Sequence, residues 1–507
     1  MFIVSTKDMR ALDQIAISDY HIPSLQLMKQ AACTLKTYID ENYHKEDCIC
    51  IVCGPGNNGG DGFALASILQ EDGYAHIRVL CNVEETSLSQ DAMVYAQRWS
   101  ETGNTIEKEM EIEHLCSLLA RQDLIVDALY GTGLSRPIQG KDATMIQAIT
   151  ESGVAVLSVD IPSGIHSDTG EVMGCAIKAT TTITFACATL GQFIYPGSQH
   201  CGTMYIKSIG IPSQALQKIT TYSILEGSLA KEMLPIRKAH SHKGSYGKVL
   251  LIGGSVSMHG ALTLCAKSML RSGVGMLTLF LPDVIVSVLS QKIEECMLVS
   301  VPSNDGFFAP NAIDRLKECI QDYDMIVIGN GMGRGKNVES LVSYVLQQEL
   351  PCVIDGDAIY ECAKHLDLLK QRSAPTILTP HPKEMSYLTN LVVQDIVKDP
   401  FTIVKQFANE YHAVVALKDQ YTYISDGKEL YVNTAGNHSL AKGGSGDVLC
   451  GIIAGLFAQS KQALPACACG VYVHAKCADE LLKREDENSI LPSDLIDELS
   501  SVYQSIR

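Results

Sequence analysis

Short apolar runs alternate with longer amphipathic segments along most of this chain. "CICIVC" (48–53), "HIRVLC" (76–81), "DLIVDALYG" (123–131), "GVAVLSVDIPSG" (153–164) and "TTITFAC" (181–187) are predicted strands, with helix-length segments between several of them. "DGFALASILQ", which follows the first run, has helical spacing. The pattern restarts at "GKVLLIGGS" (247–255) with the helix "GALTLCAKSMLRSG". Further strands are predicted at "GMLTLFLP", "DMIVIGNGMG", "PCVIDGD", "TILTPHP", "AVVALKD" and "LYVNTAG". Apolar strands alternating with helices imply an α/β fold built on parallel sheets covered on both faces. A mostly polar stretch at 213–240 separates the halves and is the expected domain boundary. In open α/β sheets ligands bind beyond the carboxyl ends of the strands, and the glycine-rich segments of both halves fall there.

Composition bounds the reading without deciding it. At roughly 100–200 residues per domain, a chain of 507 residues holds two to four domains. Apolar residues are 46% and charged residues 19%, enough to bury full cores. The net charge of −17 argues against a basic nucleic-acid-binding surface. It leaves room for an anionic small ligand held by a helix N-terminus. The 18 cysteines fall largely inside apolar segments and form no pair of CxxC motifs. They are expected to be buried, reduced thiols. "MFIVSTKDMRALDQ" is not a secretory signal. No uninterrupted apolar run of ~18 residues predicts a membrane span. A cytoplasmic protein, a homo-oligomer without nucleic-acid or membrane partners, is the expectation.

The second half carries "GNHSLAKGGSGDVLCG" (436–451), where Asp447 follows a glycine run and precedes an apolar helix. The first backbone N–H groups of such a helix lack intrahelical partners and point outward with the positive end of its dipole. Glycines allow close approach, so the segment can form an anion hole for a phosphoryl group. Asp447 could then accept the proton of an attacking hydroxyl. The plainer alternative is a helix N-cap. "TPHPKE" (379–384) puts His381 and Glu384 just past a strand, and "GNGMGRG" (329–335) is another glycine loop. Alone, His381 reads as readily as a turn residue.

The ordered set "GSYGKVLLIGGS", "GNGMG", "DGDA", "TPHPKE" and "GGSGDVLCG" resembles the ribokinase-like carbohydrate-kinase domain of the NAD(P)H-hydrate dehydratases, over about 225–505. The resemblance implies phosphorylation of the hydroxyl of hydrated NADH or NADPH (NADHX, NADPHX) by ADP or ATP with magnesium, then loss of phosphate. It puts the hydrated dinucleotide against Ala261, Gly331, His381 and Asp447. It lays the adenine nucleotide along Lys418, Asp419, Gln420, Tyr421 and Thr422 and at Gly446. The family has glycine after the lysine, and here Asp419 stands there. A carboxylate ~4 Å from a phosphate at an effective dielectric of about 20 costs on the order of 4 kcal/mol. Asp419 is therefore expected to face solvent.

In the first half "GPGNNGGDGF" (54–63) follows a strand and opens a helix, outside the usual GxGxxG register. Asn57 and Asn58, with Asp127 ("IVDALYGTG") and Ser163 ("VDIPSG"), supply hard oxygens at three strand ends, apt for a hard cation. Turn residues alone are the alternative. "YGTGLSRP" (130–137) adds a glycine loop with Arg136, apt for phosphate. "NNGGDG", "DALYGTGLSRP" and "VDIPSG" resemble the YjeF N-terminal family, the NAD(P)H-hydrate epimerases, with a Rossmann-like fold over about 1–215. That resemblance implies potassium held by Asn58, Asp127 and Ser163. It implies dinucleotide binding by Asn57, Asn58, Gly59, Gly60 and Asp61, by Gly131, Thr132, Gly133, Leu134, Ser135, Arg136 and Pro137, and by Asp160. Asp160 is the acid/base candidate.

Together the halves imply an epimerase feeding a dehydratase that takes the S hydrate. One rival is a ribokinase-like kinase of a small vitamin-like alcohol. Another is a nucleotide-binding scaffold without chemistry, which would leave Asp447 and His381 dispensable.

Overall fold

The computed structural model describes residues 1–108 and 111–507. The chain divides into two units, Met1–Tyr222 and Ser223–Arg507.

The first unit is built on seven parallel strands. Across the sheet they run Ile106–Glu107, His76–Leu80, Cys48–Cys53, Leu124–Ala128, Ala155–Val159, Thr181–Phe185 and Thr203–Lys207. Adjacent strands pair in parallel throughout. The central strands are continuous apolar runs because helices cover both of their faces. On one face Leu27, Leu35, Phe63, Leu69 and Trp99 pack with Ile49, Ile51 and Val126. On the other Leu115, Leu119, Ile146 and Ile149 pack with Cys50, Val52 and Ile125. Thr203–Lys207 eluded the sequence pattern because no residue of this edge strand is fully buried. Strand order reverses between Cys48–Cys53 and Leu124–Ala128. The crevice of a doubly wound sheet opens at such a reversal, and loops 54–56 and 129–137 border this one.

The second unit has a larger, mostly parallel sheet. Its order is Met297–Val301, Met276–Pro282, Lys248–Ile252, Met325–Ile328, Cys352–Ile354, Thr376–Leu378, Val414–Lys418, Thr422–Ser425 and Leu430–Asn433. Thr422–Ser425 runs antiparallel to both of its neighbours. Beyond Leu430–Asn433, residues 223 and 224 add a parallel edge. Order reverses between Lys248–Ile252 and Met325–Ile328, so loops 253–258 and 329–335 flank the crevice.

Helices His259–Arg271 and Ser445–Ser460 lie against each other, and glycine lets them close up. A Cβ at Gly451 would stand 2.0 Å from Ser268 Oγ and 2.2 Å from the Cys265 carbonyl oxygen. This packing holds the N-terminal turn of each helix in a fixed place. The polar stretch at 213–240 is more than a connector: helix Gly227–Met233 lies within it, and its Ala230 is fully buried. All 18 cysteines are free thiols. Among the described residues, no helix is long and apolar enough to cross a membrane.

Candidate functional sites

In the first unit, helix Asn57–Glu71 begins one turn after strand Cys48–Cys53. The turn is tight: a Cβ at Gly54 would stand 1.8 Å from the Leu129 carbonyl oxygen, and one at Gly59 1.9 Å from that of Gly54. Gly60 sits under the Met28 side chain. The two asparagines part company. Asn57 is exposed and its Oδ1 accepts from Ser89 Oγ at 2.8 Å. Asn58 is buried, and a Cβ on Gly131 would lie 3.1 Å from its Oδ1. Its Nδ2 is buried without a hydrogen-bond partner. The pair therefore does not act as one donor set; only Asn58 faces the strand ends.

Asp127 and Ser163 are brought together as expected. The buried Asp127 carboxylate accepts from Ser158 Oγ at 2.8 Å, from the Ser163 backbone N–H at 2.9 Å and from Ser163 Oγ. Ser163 Oγ in turn accepts from the Tyr130 N–H at 2.8 Å. Burial raises the Asp127 carboxyl above its usual range, against the pull of these hydrogen bonds. The 131–137 loop divides. Leu134 turns its side chain into the core, leaving only its backbone to a ligand. Gly133, Ser135, Arg136 and Pro137 are exposed, and the Thr132 carbonyl accepts from Ser167 Oγ at 3.1 Å.

Asp160 adopts a left-handed backbone with φ +65°, uncommon for a residue with a side chain. Its Oδ1 accepts from Thr184 Oγ1 and its carbonyl from Gln192 Nε2, both at 2.9 Å. Burial pushes its carboxyl up to about 6. Two more acids share this environment. Burial and the Asp160 charge push Asp13 up to about 6. Burial and the charges of Asp160 and Asp13 push Asp61 well above the carboxylate range. Asp13, on helix Thr6–Ser18, lies outside every sequence motif and went unseen by sequence reasoning.

In the second unit Asp447 is the third residue of helix Ser445–Ser460, whose N-cap is Gly444 at φ +101°. The N-cap alternative for Asp447 is thereby excluded. Its Oδ1 instead accepts from Asn330 Nδ2 at 2.8 Å. Burial, then the neighbouring Asp355 charge, push its carboxyl up to about 6. Gly331, at φ +68°, and Ala261 meet here: a Cβ on Gly331 would lie 3.0 Å from that of Ala261. His381 caps helix Pro382–Thr389. Its Nδ1 accepts from the Glu384 N–H at 3.2 Å, and its own N–H donates to Glu384 Oε2 at 3.0 Å. Its side chain still leaves 49% of its surface exposed. Burial, then Lys418, lower its pKa, which favours a neutral ring. Burial raises the Glu384 carboxyl to about 7.

The Lys418 N–H donates to the Pro380 carbonyl at 2.8 Å, which ties the strand end to the His381 loop. Lys418 Nζ lies 3.1 Å from Asp355 Oδ1. A Cβ at Gly446 would come within 3.4 Å of that ammonium. Burial disfavours the Lys418 charge, yet Asp355 and Glu384 outweigh burial and raise its pKa. Lys418 and Thr422 pair across the hairpin, while Asp419 and Gln420 are exposed at its tip. Tyr421, also in the tip, accepts from the Asp419 N–H at 3.1 Å. Asp355, Asn330 and the buried His474, whose Nε2 lies 3.2 Å from Ser445 Oγ, were missed as site residues. The first two stand in "DGDA" and "GNGMG", so the signal was present but carried no role.

Fold and candidate sites define a two-domain α/β protein in which each unit holds, at a strand end or helix start, an aspartate whose carboxyl burial pushes up to about 6. Residues 24–191 match the model of the YjeF-related protein N-terminus and residues 249–501 that of NAD(P)H-hydrate dehydratase. A bifunctional NAD(P)H-hydrate repair enzyme from Moorella thermoacetica is 34% identical, covering 100% of this chain and 97% of the relative. One from Coxiella burnetii is 32% identical, covering 98% of each. A ribokinase-like superfamily protein from Enterococcus faecalis matches 56% of this chain and 96% of its own, at 26% identity and TM-score 0.50. The chain belongs to the bifunctional NAD(P)H-hydrate repair enzymes.

Proposed function

We propose that the chain repairs hydrated NADH and NADPH. The first unit interconverts the R and S hydrates, and the second dehydrates the S form at the expense of ADP or ATP. The observation that carries this reading is the Asp447 carboxylate at the mouth of a glycine-lined helix N-terminus, with Lys418 beside it. That arrangement suits phosphoryl transfer, where a base and a preorganised anion site do most of the work.

In the dehydratase, the hydrate's hydroxyl oxygen attacks the terminal phosphorus of the nucleotide. Asp447 takes the hydroxyl proton as the new O–P bond forms and the bond to the leaving nucleotide breaks. The backbone N–H groups of 444–446 and the Lys418 ammonium meet the phosphoryl charge. The C6–O bond then breaks with the ring nitrogen pair assisting, inorganic phosphate departs, and loss of the C5 proton restores the double bond. Ala261, Gly331 and His381 line the hydrate side; residues 418–422 and Gly446 take the adenine nucleotide. Among the described residues no cluster of three His, Cys, Asp or Glu side chains is arranged to hold a metal. Magnesium bound to the nucleotide phosphates would neutralise part of their charge.

In the epimerase, with Asp61 and the 57–61 and 131–137 loops around the ligand, Asp160 takes the proton of the C6 hydroxyl as the carbonyl forms and the C6–N1 bond breaks, with N1 taking up a proton; N1 then adds to the other face of the open aldehyde and the protons return, which inverts C6. The buried oxygens of Asn58, Asp127 and Ser163 match potassium in chemistry, with one carboxylate for one positive charge. Potassium there would supply a fixed positive charge beside the dinucleotide.

The test is to incubate the protein with chemically hydrated NADH and, separately, ADP and ATP, following the absorbance of the restored nicotinamide. A stable phosphorylated product, with no nicotinamide recovered, would instead favour the small-alcohol kinase.

A further inference from the structure

The side chain of Asn330 lies between two carboxylates of the second unit. Its Nδ2 is 2.8 Å from Asp447 Oδ1 and 3.1 Å from Asp355 Oδ2. Its Oδ1 faces the Cys450 thiol at 3.5 Å. The residue is 1% exposed, so water does not substitute for these partners. Only one orientation of the amide satisfies them. Two carboxylates can only accept, so the NH₂ must face both, which leaves the carbonyl for the thiol, a weak donor. Hydrogen bonding with Cys265 and burial push the Cys450 thiol well up, so that it stays protonated.

The network continues beyond Asn330. Asp355 Oδ1 accepts from Thr379 Oγ1 at 2.6 Å and from Lys418 Nζ at 3.1 Å. Asp355 is therefore anchored by three partners, and Asn330 is the hydrogen-bond donor that links it to Asp447. The Asn330 backbone is itself fixed: its carbonyl accepts from the Gly254 N–H at 2.8 Å, from the loop after the neighbouring strand.

We propose that Asn330 is a positioning residue for dehydration, holding the Asp447 carboxylate aimed at the reacting hydroxyl and separating it from Asp355. The proposal rests on the reading of Asp447 as the base. Without the amide, Asp447 would face the carboxylates of Asp355 and Asp357 and the thiols of Cys265 and Cys450, with Lys418 as the facing cation. Asp447 could then turn away, and its ionised form would be harder to keep.

The test is the pH dependence of kcat/KM for purified S hydrate with saturating nucleotide. In the unaltered protein, activity rises with pH through about 6 as Asp447 ionises. A hydrogen bond to a charged group is worth enough to move such a limb by about one unit. Asn330→Leu is therefore expected to lose about tenfold at the acid end and to recover most of it at the alkaline end. Nucleotide KM should stay unchanged. A purely structural residue would lower the rate equally at every pH, or raise KM, and that result overturns the proposal. Asn330→Asp keeps the shape should the leucine variant not fold. It adds a third carboxylate, so its limb should move at least as far; a limb at the unaltered position also overturns the proposal. Asp447→Asn is the control. Turnover near that of the unaltered protein in this variant would remove Asp447 as the base, a failure distinct from an unmoved limb in the Asn330 variants.

Discussion

The two glycine-aspartate segments, 54–63 and 443–447, look alike as strings and differ in what their glycines are for. In the first, the glycines are demanded by the protein itself. Side chains at Gly54 and Gly59 would strike backbone oxygens at 1.8 and 1.9 Å, and one at Gly62 would stand 2.8 Å from Ala128 Cβ. In the second, Gly444 is at φ +101° with a Cβ there 2.7 Å from Leu264 Cδ1, but a Cβ at Gly443 meets nothing within 4 Å, and one at Gly446 meets only the Lys418 ammonium, at 3.4 Å. The first segment spends Gly54, Gly59 and Gly62 on packing a helix against a sheet and leaves only Gly56 open; the second leaves Gly443 and Gly446 open at a helix N-terminus and closes only Gly444. The aspartates diverge in the same way. Asp61 is driven toward its neutral form by burial and two acidic neighbours. Asp447 titrates near 6, with an amide donor and a lysine nearby to favour its ionised form. The acid/base candidate of the first site comes from another strand end, at Asp160.

The largest expected effect is Asp447→Asn, which should cut dehydration by about 10²–10⁴ while nucleotide binding survives. Rates of S-hydrate turnover and a nucleotide titration read both. Asp160→Asn should slow R-to-S conversion by about 10², seen by chromatography of the epimers. With the Asp160 carboxyl near 6 and read as a base when ionised in the proposed function, epimerisation should also fall as pH drops through about 6.

The glycine contrast predicts smaller, opposite lesions. Gly59→Ala should destabilise the first unit by about 1–3 kcal/mol, read as a lower Tm. Gly446→Ala should change stability by no more than about 0.5 kcal/mol and weaken the nucleotide instead. A Tm loss at Gly446 matching that at Gly59 would erase the distinction. Smallest of all, Asp419→Gly should change nucleotide KM by less than about tenfold, or ~1.4 kcal/mol. A hundredfold tightening would mean that the exposed Asp419 carboxylate does oppose the phosphate.

The strand runs and the glycine loops were legible because buried parallel strands are unbroken apolar stretches ending at turns. "CICIVC" is a strand over its full length, 48–53. What stayed hidden depends on chain segments far apart in sequence. Nothing near Asn330 announces that Asp447, 117 residues away, will accept from it. Nothing in "DQIAIS" announces that Asp13 will share an environment with Asp160. The left-handed backbone at Asp160 is equally silent, since only glycine advertises such a conformation. The asparagine pair misled for a related reason: adjacent residues at a helix start point in different directions, so Asn57 meets Ser89 while Asn58 turns inward.

In the proposed function two aspartates, one in each unit, do separable work on one damaged cofactor. Separate time courses from pure R hydrate and pure S hydrate, with ADP or ATP present, test it most directly in the Asp160→Asn and Asp447→Asn proteins. Asp160→Asn should restore nicotinamide from S hydrate at the unaltered rate and lag on R hydrate. Asp447→Asn should restore it from either hydrate about 10²–10⁴ more slowly, yet still equilibrate the two epimers. Equal loss of both activities in either folded variant would contradict it.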